Sequence, residues 1–412
     1  MKTSVQDFIN IVKGGVCAPK GFRAAGICCG IKKKGQLDLA LIASDSPCAA
    51  AAVYTKNQVK AAPVQLSMKH LENGRAQAVI VNSGNANACA VNGNRNALRM
   101  TELTARGLGI ATEDVVVGST GVIGVELDIA RVEKGMPELI GSLTYQGSQE
   151  VATAIMTTDT FIKELAVEFS ADGKSWRVGG IAKGSGMVHP NMGTTLTFVT
   201  TDMPISPELL DQALRYCVDR SLNQVSVDGD TSTNDMAVVL ANGQGGGAAP
   251  AGPEDPAYLA FREALLTVLI HLARELARDG EGASRLLTCQ VSGAASDHSA
   301  AVISKAVVSS TLTKAAMFGS DANWGRILCA MGYSGEQFDY ETVAVSFRSS
   351  GGELTVCQNG RGVNFDEKTA RQVLSQPEVD ILIEMTAGDG KATAWGCDLT
   401  YDYVKINGDY RS

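Results

Sequence analysis

Lys183-Gly184-Ser185-Gly186-Met187-Val188-His189-Pro190-Asn191-Met192-Gly193-Thr194-Thr195 runs directly into Leu196-Thr197-Phe198-Val199-Thr200-Thr201. The first part is rich in small and turn-forming residues, so it sustains neither helix nor ladder; the second is a β-branched run of strand length. A Gly-Thr step at the mouth of a strand puts the Thr194 hydroxyl within reach of the Gly193 carbonyl, and glycine permits backbone geometry that other residues resist. Attack at that carbonyl would cut the chain and leave Thr194 as a new N-terminus. Its freed α-amine, with a reference pKa of about 7.7–8.0, would serve as base for the hydroxyl on the same residue, and no histidine would be needed. The same residues also read as a plain loop entering an edge strand, since Gly-Thr steps are common in loops.

Working outward, short apolar runs alternate with turn signals. Leu37 to Ala43, Ala78 to Asn82, Asp114 to Val117 and Phe161 to Phe169 read as strands, and Ala97 to Arg106 and Ile129 to Lys134 as helices. Pro207 to Asn223 reads as a helix capped by Ser206. Gly243 to Pro256, with three consecutive glycines and three prolines, reads as a surface loop. Beyond it, Ala257 to Ala277 is amphipathic, with a core-facing stripe of Leu259, Leu266, Leu269, Leu272 and Leu276. From about Ala306 onward the pattern is strand-like (Thr342 to Phe347, Glu353 to Val356, Val379 to Met385, Ala392 to Asp398), with one helix at Glu367 to Leu374. The class is α/β, with strands and helices interleaved.

Composition narrows the function classes. At 412 residues, 45% hydrophobic and 19% charged, the chain can bury a sizeable core. A net charge of −8 gives no electrostatic footprint for nucleic acid or an anionic membrane. The one basic run, Lys32-Lys33-Lys34, reads as a solvated turn. Met1 to Gly15 carries Asp7 and Lys13 and lacks the apolar core of a signal peptide, and the most apolar segment, Ala264 to Ala273, is about half of a bilayer span. Ten cysteines without CxxC spacing read as reduced, mostly buried thiols of a cytoplasmic protein, and four scattered histidines make a metal site improbable.

Several longer motifs resemble the ornithine acetyltransferase (glutamate N-acetyltransferase) family of the cyclic arginine pathway. They are Gly15 to Phe22, Asn82-Ser83-Gly84-Asn85-Ala86-Asn87-Ala88, Gly118-Ser119-Thr120-Gly121-Val122-Ile123-Gly124 and Met156-Thr157-Thr158-Asp159, then the Lys183 to Thr194 stretch, Asp279-Gly280-Glu281-Gly282-Ala283, Asp321 to Arg326 and Asn407 to Ser412. The resemblance runs nearly end to end. It departs at the decisive bond, where the family often has Ala and Met around the nucleophile and this chain has Gly193 and Thr195.

The resemblance implies an ArgJ/DmpA-like α/β fold cut between Gly193 and Thr194 into chains 1–193 and 194–412, two of each forming a heterotetramer. It implies Thr194 as the acyl-accepting nucleophile, Thr120 and Gly121 as the oxyanion hole, and Thr157, Lys183, Thr194, Glu281, Asn407 and Ser412 as substrate contacts. Such a set suits zwitterionic amino acids, with Lys183 pairing a carboxylate and Glu281 an ammonium. The implied reaction moves acetyl from N-acetylornithine to glutamate through an acetyl-threonine ester, in arginine biosynthesis, with no cofactor; acetyl-CoA serves as a further co-substrate in bifunctional members. Two other readings remain at this level: an N-terminal-nucleophile hydrolase or aminopeptidase that delivers acyl groups to water, and a non-catalytic amino-acid-binding protein on the same fold.

Overall fold

The computed structural model describes residues 9–32, 35–189 and 195–409. Strands β1 (Ile9–Val12), β2 (Phe22–Ile27), β3 (Leu39–Tyr54), β4 (Arg75–Asn85), β5 (Val115–Val122), β6 (Lys163–Ala171), β7 (Lys174–Lys183) and β8 (Leu196–Thr201) build one large sheet. Next in the chain, β9 (Val225–Ser226) joins a second sheet and β10 (Met236–Ala241) returns to the first. Among the described residues the first sheet has nine strands, ordered β1-β6-β7-β8-β10-β3-β4-β5, with β2 also paired to β3.

The Leu196–Thr201 run is therefore central, which overturns its reading as an edge strand. β8 pairs antiparallel with β7, Leu196 opposite Lys183, and parallel with β10, Leu196 opposite Met236. Every residue of β8 is buried, as a near-continuous apolar and β-branched run requires when both sheet faces are covered. Its hydroxyls are satisfied inside: Thr200 Oγ1 donates to the Val16 carbonyl at 2.8 Å and Thr201 Oγ1 to the Arg177 carbonyl at 2.7 Å.

Helices α1 (Ala62–His70), α2 (Gly93–Leu108), α3 (Ile129–Gly141), α4 (Ser148–Ile155), α5 (Pro207–Asp219) and α6 (Pro256–Arg278) cover this sheet. The pleat alternates side chains between faces, so on β3 Leu39 and Leu41 join a core with Met100 of α2 and Val132 of α3, while Ala40 and Ile42 join another with Val64 of α1 and Val151 of α4. Ser206 caps α5, accepting the Leu209 N–H at 3.3 Å, with Pro207 in the first turn. Helix α6 is long and apolar enough to cross a bilayer by length and composition, more so than its central segment suggested. Its Phe261, Leu265, Val268, Leu269, Leu272 and Leu276 are nevertheless sealed in the core shared with β6, β7 and α5.

The second sheet comprises β9 with β11 (Leu286–Ala294), β12 (Ala344–Ser349), β13 (Gly352–Gln358), β14 (Arg361–Gly362), β15 (Glu378–Glu384) and β16 (Gly390–Cys397). Helices α7 (Asp297–Ser309), α8 (Thr311–Phe318), α9 (Trp324–Gly332), α10 (Glu367–Leu374) and α11 (Tyr401–Asp409) accompany it. The first three of these helices, unforeseen in the sequence, bury Ile303, Val307, Met317 and Ile327 against Val345, Phe347 and Ile381. The fold is a mixed α/β architecture on two sheets. Because β8 and β10 lie between β7 and β3, the chain on either side of residues 190–194 shares one sheet.

One expectation about a polar run is corrected. Lys32 is folded in rather than solvated: its Nζ donates to the Leu37 carbonyl at 2.9 Å and to the Met156 carbonyl at 2.5 Å, and burial brings its pKa down to about 8. Lys33 and Lys34 lie outside the described residues. All ten cysteines are free and most are buried, as expected, with Cys28, Cys89 and Cys329 exposed.

Candidate active site

Thr120, Gly121, Thr157, Lys183, Glu281 and Asn407 are far apart in sequence and line one cavity of about 160 Å³. Thr195 lines it as well. Gly193, Thr194 and Ser412 lie outside the described residues, so the structure places the immediate neighbour of the expected nucleophile and not the nucleophile itself.

The turn at Thr120 and Gly121 ends β5, which runs parallel to β4 with Ser83 opposite Thr120 and Gly84 opposite Gly121. Gly121 has φ +132, and a Cβ there would stand 2.4 Å from the Gly84 carbonyl carbon, so only glycine fits. The Asn82 to Ala88 motif braces this turn. Ser119 Oγ donates to Asn82 Oδ1 at 2.6 Å, Asn82 Nδ2 donates to the Asn85 carbonyl at 2.9 Å, and Asn234 Nδ2 donates to the Ala86 and Ser119 carbonyls at 2.7 and 2.8 Å. A braced turn that offers a hydroxyl and backbone N–H groups suits a developing oxyanion.

Lys183 closes β7 and points across the cavity, donating to Thr120 Oγ1 at 3.0 Å and Thr157 Oγ1 at 2.8 Å. Burial lowers its pKa, and the negative charge of Asp159 pulls the other way. Asp159 itself accepts the Thr157 N–H at 3.0 Å, the Gly184 N–H at 2.7 Å and Lys163 Nζ at 2.7 Å. Burial works to raise its carboxyl pKa, but Lys183 and Lys163 overcome that and hold it well below the usual range. Lys163 also donates to Asp279 Oδ2 at 2.5 Å, and Asp279 receives the Thr160 N–H at 3.0 Å. This fully buried Lys163 and its two aspartates tie the Thr157 turn, the end of β7 and the end of α6 into one unit.

Glu281 follows α6 and is fixed through its backbone N–H on the Ser185 carbonyl at 2.9 Å. Asn407 of α11 donates to Glu281 Oε2 at 2.8 Å. An ammonium and a half-buried carboxylate in the lining of one cavity form a site for a molecule carrying both charges. In the cavity lining the buried Thr195 holds φ +72, a costly conformation for a β-branched residue and a local strain at this junction.

Residues the sequence reading passed over come from the run Ser232-Thr233-Asn234-Asp235 ahead of β10. Asp235 is buried in the cavity wall, and burial raises its carboxyl to about 7 against the opposing effects of the Thr195 N–H and Ser232. The dense polar run before an apolar strand is the signal that could have marked it. A larger cavity of about 1180 Å³ lies between α5 and the second sheet, lined by Arg220, His298, Lys305 and Lys391, and contains none of the expected site residues.

Fold and site together define an α/β protein with a small polar cavity suited to acyl transfer on zwitterionic molecules. The chain belongs to the ArgJ family, whose profile matches residues 23–412. It is 52% identical over 402 residues to the arginine biosynthesis bifunctional protein ArgJ of Symbiobacterium thermophilum, covering 97% of this chain and 99% of that one. The Bacillus subtilis protein of the same name is 46% identical, with 99% of each chain covered. Among solved structures, the arginine biosynthesis bifunctional protein ArgJ of Bacillus halodurans is 42% identical with a TM-score of 0.50; the match covers all of that chain and 53% of this one.

Proposed function

We propose that this protein transfers acetyl from N-acetylornithine to glutamate in arginine biosynthesis, through an acetyl ester on Thr194 formed after the chain cuts itself between Gly193 and Thr194. The observation that carries the reading is the single cavity lined by Lys183, bonded to Thr120 and Thr157, by the Glu281–Asn407 pair and by Thr195. Lys183 suits the α-carboxylate that both substrates share. In this scheme the Thr194 hydroxyl attacks the acetyl carbonyl, its α-amine takes the proton, and the Thr120–Gly121 turn stabilises the oxyanion. Ornithine leaves, and glutamate takes the acetyl group from the ester.

The relatives are named for arginine biosynthesis, and as bifunctional, which supports acetyl-CoA as a second donor to glutamate; the scheme itself calls on no bound cofactor. Two-chain organisation is supported by the shared sheet and by a solved relative whose whole chain matches about half of this one, the share a piece starting at residue 194 would make. We place the protein in the cytoplasm as a heterotetramer of two chains of each kind, with no nucleic-acid or membrane partner.

Denaturing electrophoresis of active protein is expected to give bands of about 20 and about 23 kDa from the 43.1 kDa chain. Mass spectrometry after incubation with N-acetylornithine is expected to find acetyl on Thr194. An active, uncut chain would overturn the self-cleavage, and undiminished transfer by Thr194→Ala would overturn the nucleophile. Release of free acetate at a rate indifferent to glutamate would instead make the protein a hydrolase.

A further inference from the structure

Asp235 has no place in the reading above, yet it is only 3% exposed and forms part of the cavity wall with Thr120, Lys183 and Glu281. Among the described residues its Oδ2 is buried without a hydrogen-bond partner. A buried carboxylate oxygen left bare costs desolvation energy that a purely structural residue would not be expected to keep. The backbone fixes its position: its carbonyl accepts the Thr55 N–H at 3.0 Å, and the Met236 N–H after it donates to the Thr195 carbonyl at 2.9 Å. Asn234, one residue earlier, braces the oxyanion turn, so Asp235 is held in register with both the turn and Thr195.

Resting on the acetyl-transfer reading, we propose that Asp235 is a further catalytic residue: the acid that protonates the departing amine and the base that deprotonates the incoming amino group. Thr194's α-amine serves the hydroxyl, so the substrate nitrogen needs its own proton partner. In the first half-reaction the C–N bond breaks and the leaving nitrogen takes the Asp235 proton. Glutamate, which arrives as an ammonium, returns a proton to the Asp235 carboxylate, and the freed lone pair forms the new C–N bond. The C–O bond of the ester then breaks, and the Thr194 oxygen recovers its proton from the α-ammonium. The second proton shed by the attacking nitrogen goes to solvent and balances the one ornithine takes up on leaving.

The charged group acting on Asp235 is Lys183 from the end of β7, itself set among Asp159, Lys163 and Glu281, the last of which shares the cavity lining. Burial holds the Asp235 carboxyl at about 7, where one group can both give and take a proton at neutral pH.

The test is Asp235→Asn assayed for release of the acetyl group to two acceptors, glutamate and hydroxylamine, the second being an amine already unprotonated at neutral pH. Transfer to glutamate is expected to fall by about a hundredfold or more, while transfer from the preformed acetyl-enzyme to hydroxylamine stays within a few-fold of wild type. Equal losses with both acceptors, or no loss with either, would overturn the role. If the variant is not cut and acetylated, the wild-type enzyme decides. Its glutamate reaction is expected to rise with a limb near pH 7 and level off above about pH 8, whereas a rate climbing steadily past pH 9 would leave no base at work. Failure of wild type to form any acetyl-enzyme would overturn the acetyl-transfer reading itself, a distinct result.

Discussion

The Lys183 ammonium donates to the Thr120 hydroxyl at 3.0 Å, inside a cavity both residues line. A hydroxyl that accepts from an ammonium keeps its own O–H proton for another acceptor, and the nearby positive charge strengthens that donation. Lysine and threonine thus form one donor unit beside Gly121, suited to the oxyanion proposed there.

Removing the charge while keeping the chain length, as in Lys183→Met, is expected to lower kcat/KM for acetyl transfer by about a hundredfold or more, comparable to losing one oxyanion donor. Lys183→Arg is expected not to recover it, because a planar guanidinium does not fit a cavity of about 160 Å³ walled by Thr120 and Thr157. Steady-state kinetics of the three proteins checks this; near-wild-type turnover in Lys183→Met would contradict it.

Lys163 is wholly buried between Asp159 and Asp279. Lys163→Met leaves two buried carboxylates without their cation, and a loss of about 3–5 kcal/mol in denaturant unfolding is expected. A loss below about 1 kcal/mol would mean that the backbone N–H donors around the aspartates suffice.

Two glycines separate oxyanion geometry from substrate binding. A Cβ at Gly186 would stand 2.4 Å from Glu281 Oε2, a side-chain atom that can move, so Gly186→Ala is expected to raise KM about tenfold with little change in kcat. At Gly121 the clash is with the Gly84 backbone, at φ +132, and Gly121→Ala is expected to abolish both transfer and chain cutting. Kinetics and electrophoresis on the two variants distinguish these outcomes.

Stability should follow pH in opposite senses at two aspartates. Asp235 has a folded pKa raised from about 3.8 to about 7, so the stability it contributes is full below about pH 4 and is lost as pH rises through 7. Thermal melts should therefore show Asp235→Asn gaining on wild type between about pH 4 and 7, then holding a constant advantage. Asp159 is held below its ordinary 3.8, so its contribution is present above that value and fades as pH falls beneath it. The penalty of Asp159→Asn should be full at neutral pH and shrink in acid; a pH-independent penalty would contradict the charge pairing.

What the sequence by itself determined was local or carried by motif: the strand at Leu196–Thr201, the Ser206 cap, and the family to which the chain belongs. These follow from periodicity, capping and backbone sterics, which act over a few residues. Only the tertiary structure put β8 at the centre of its sheet, turned Lys32 inward, and brought Asp235 into the cavity wall beside Lys183 and Glu281. Strand order and burial are set by contacts between distant segments. Whether a carboxyl stands charged or neutral depends on the water it loses and the charges it meets there, and neither is written near Asp235 in the chain.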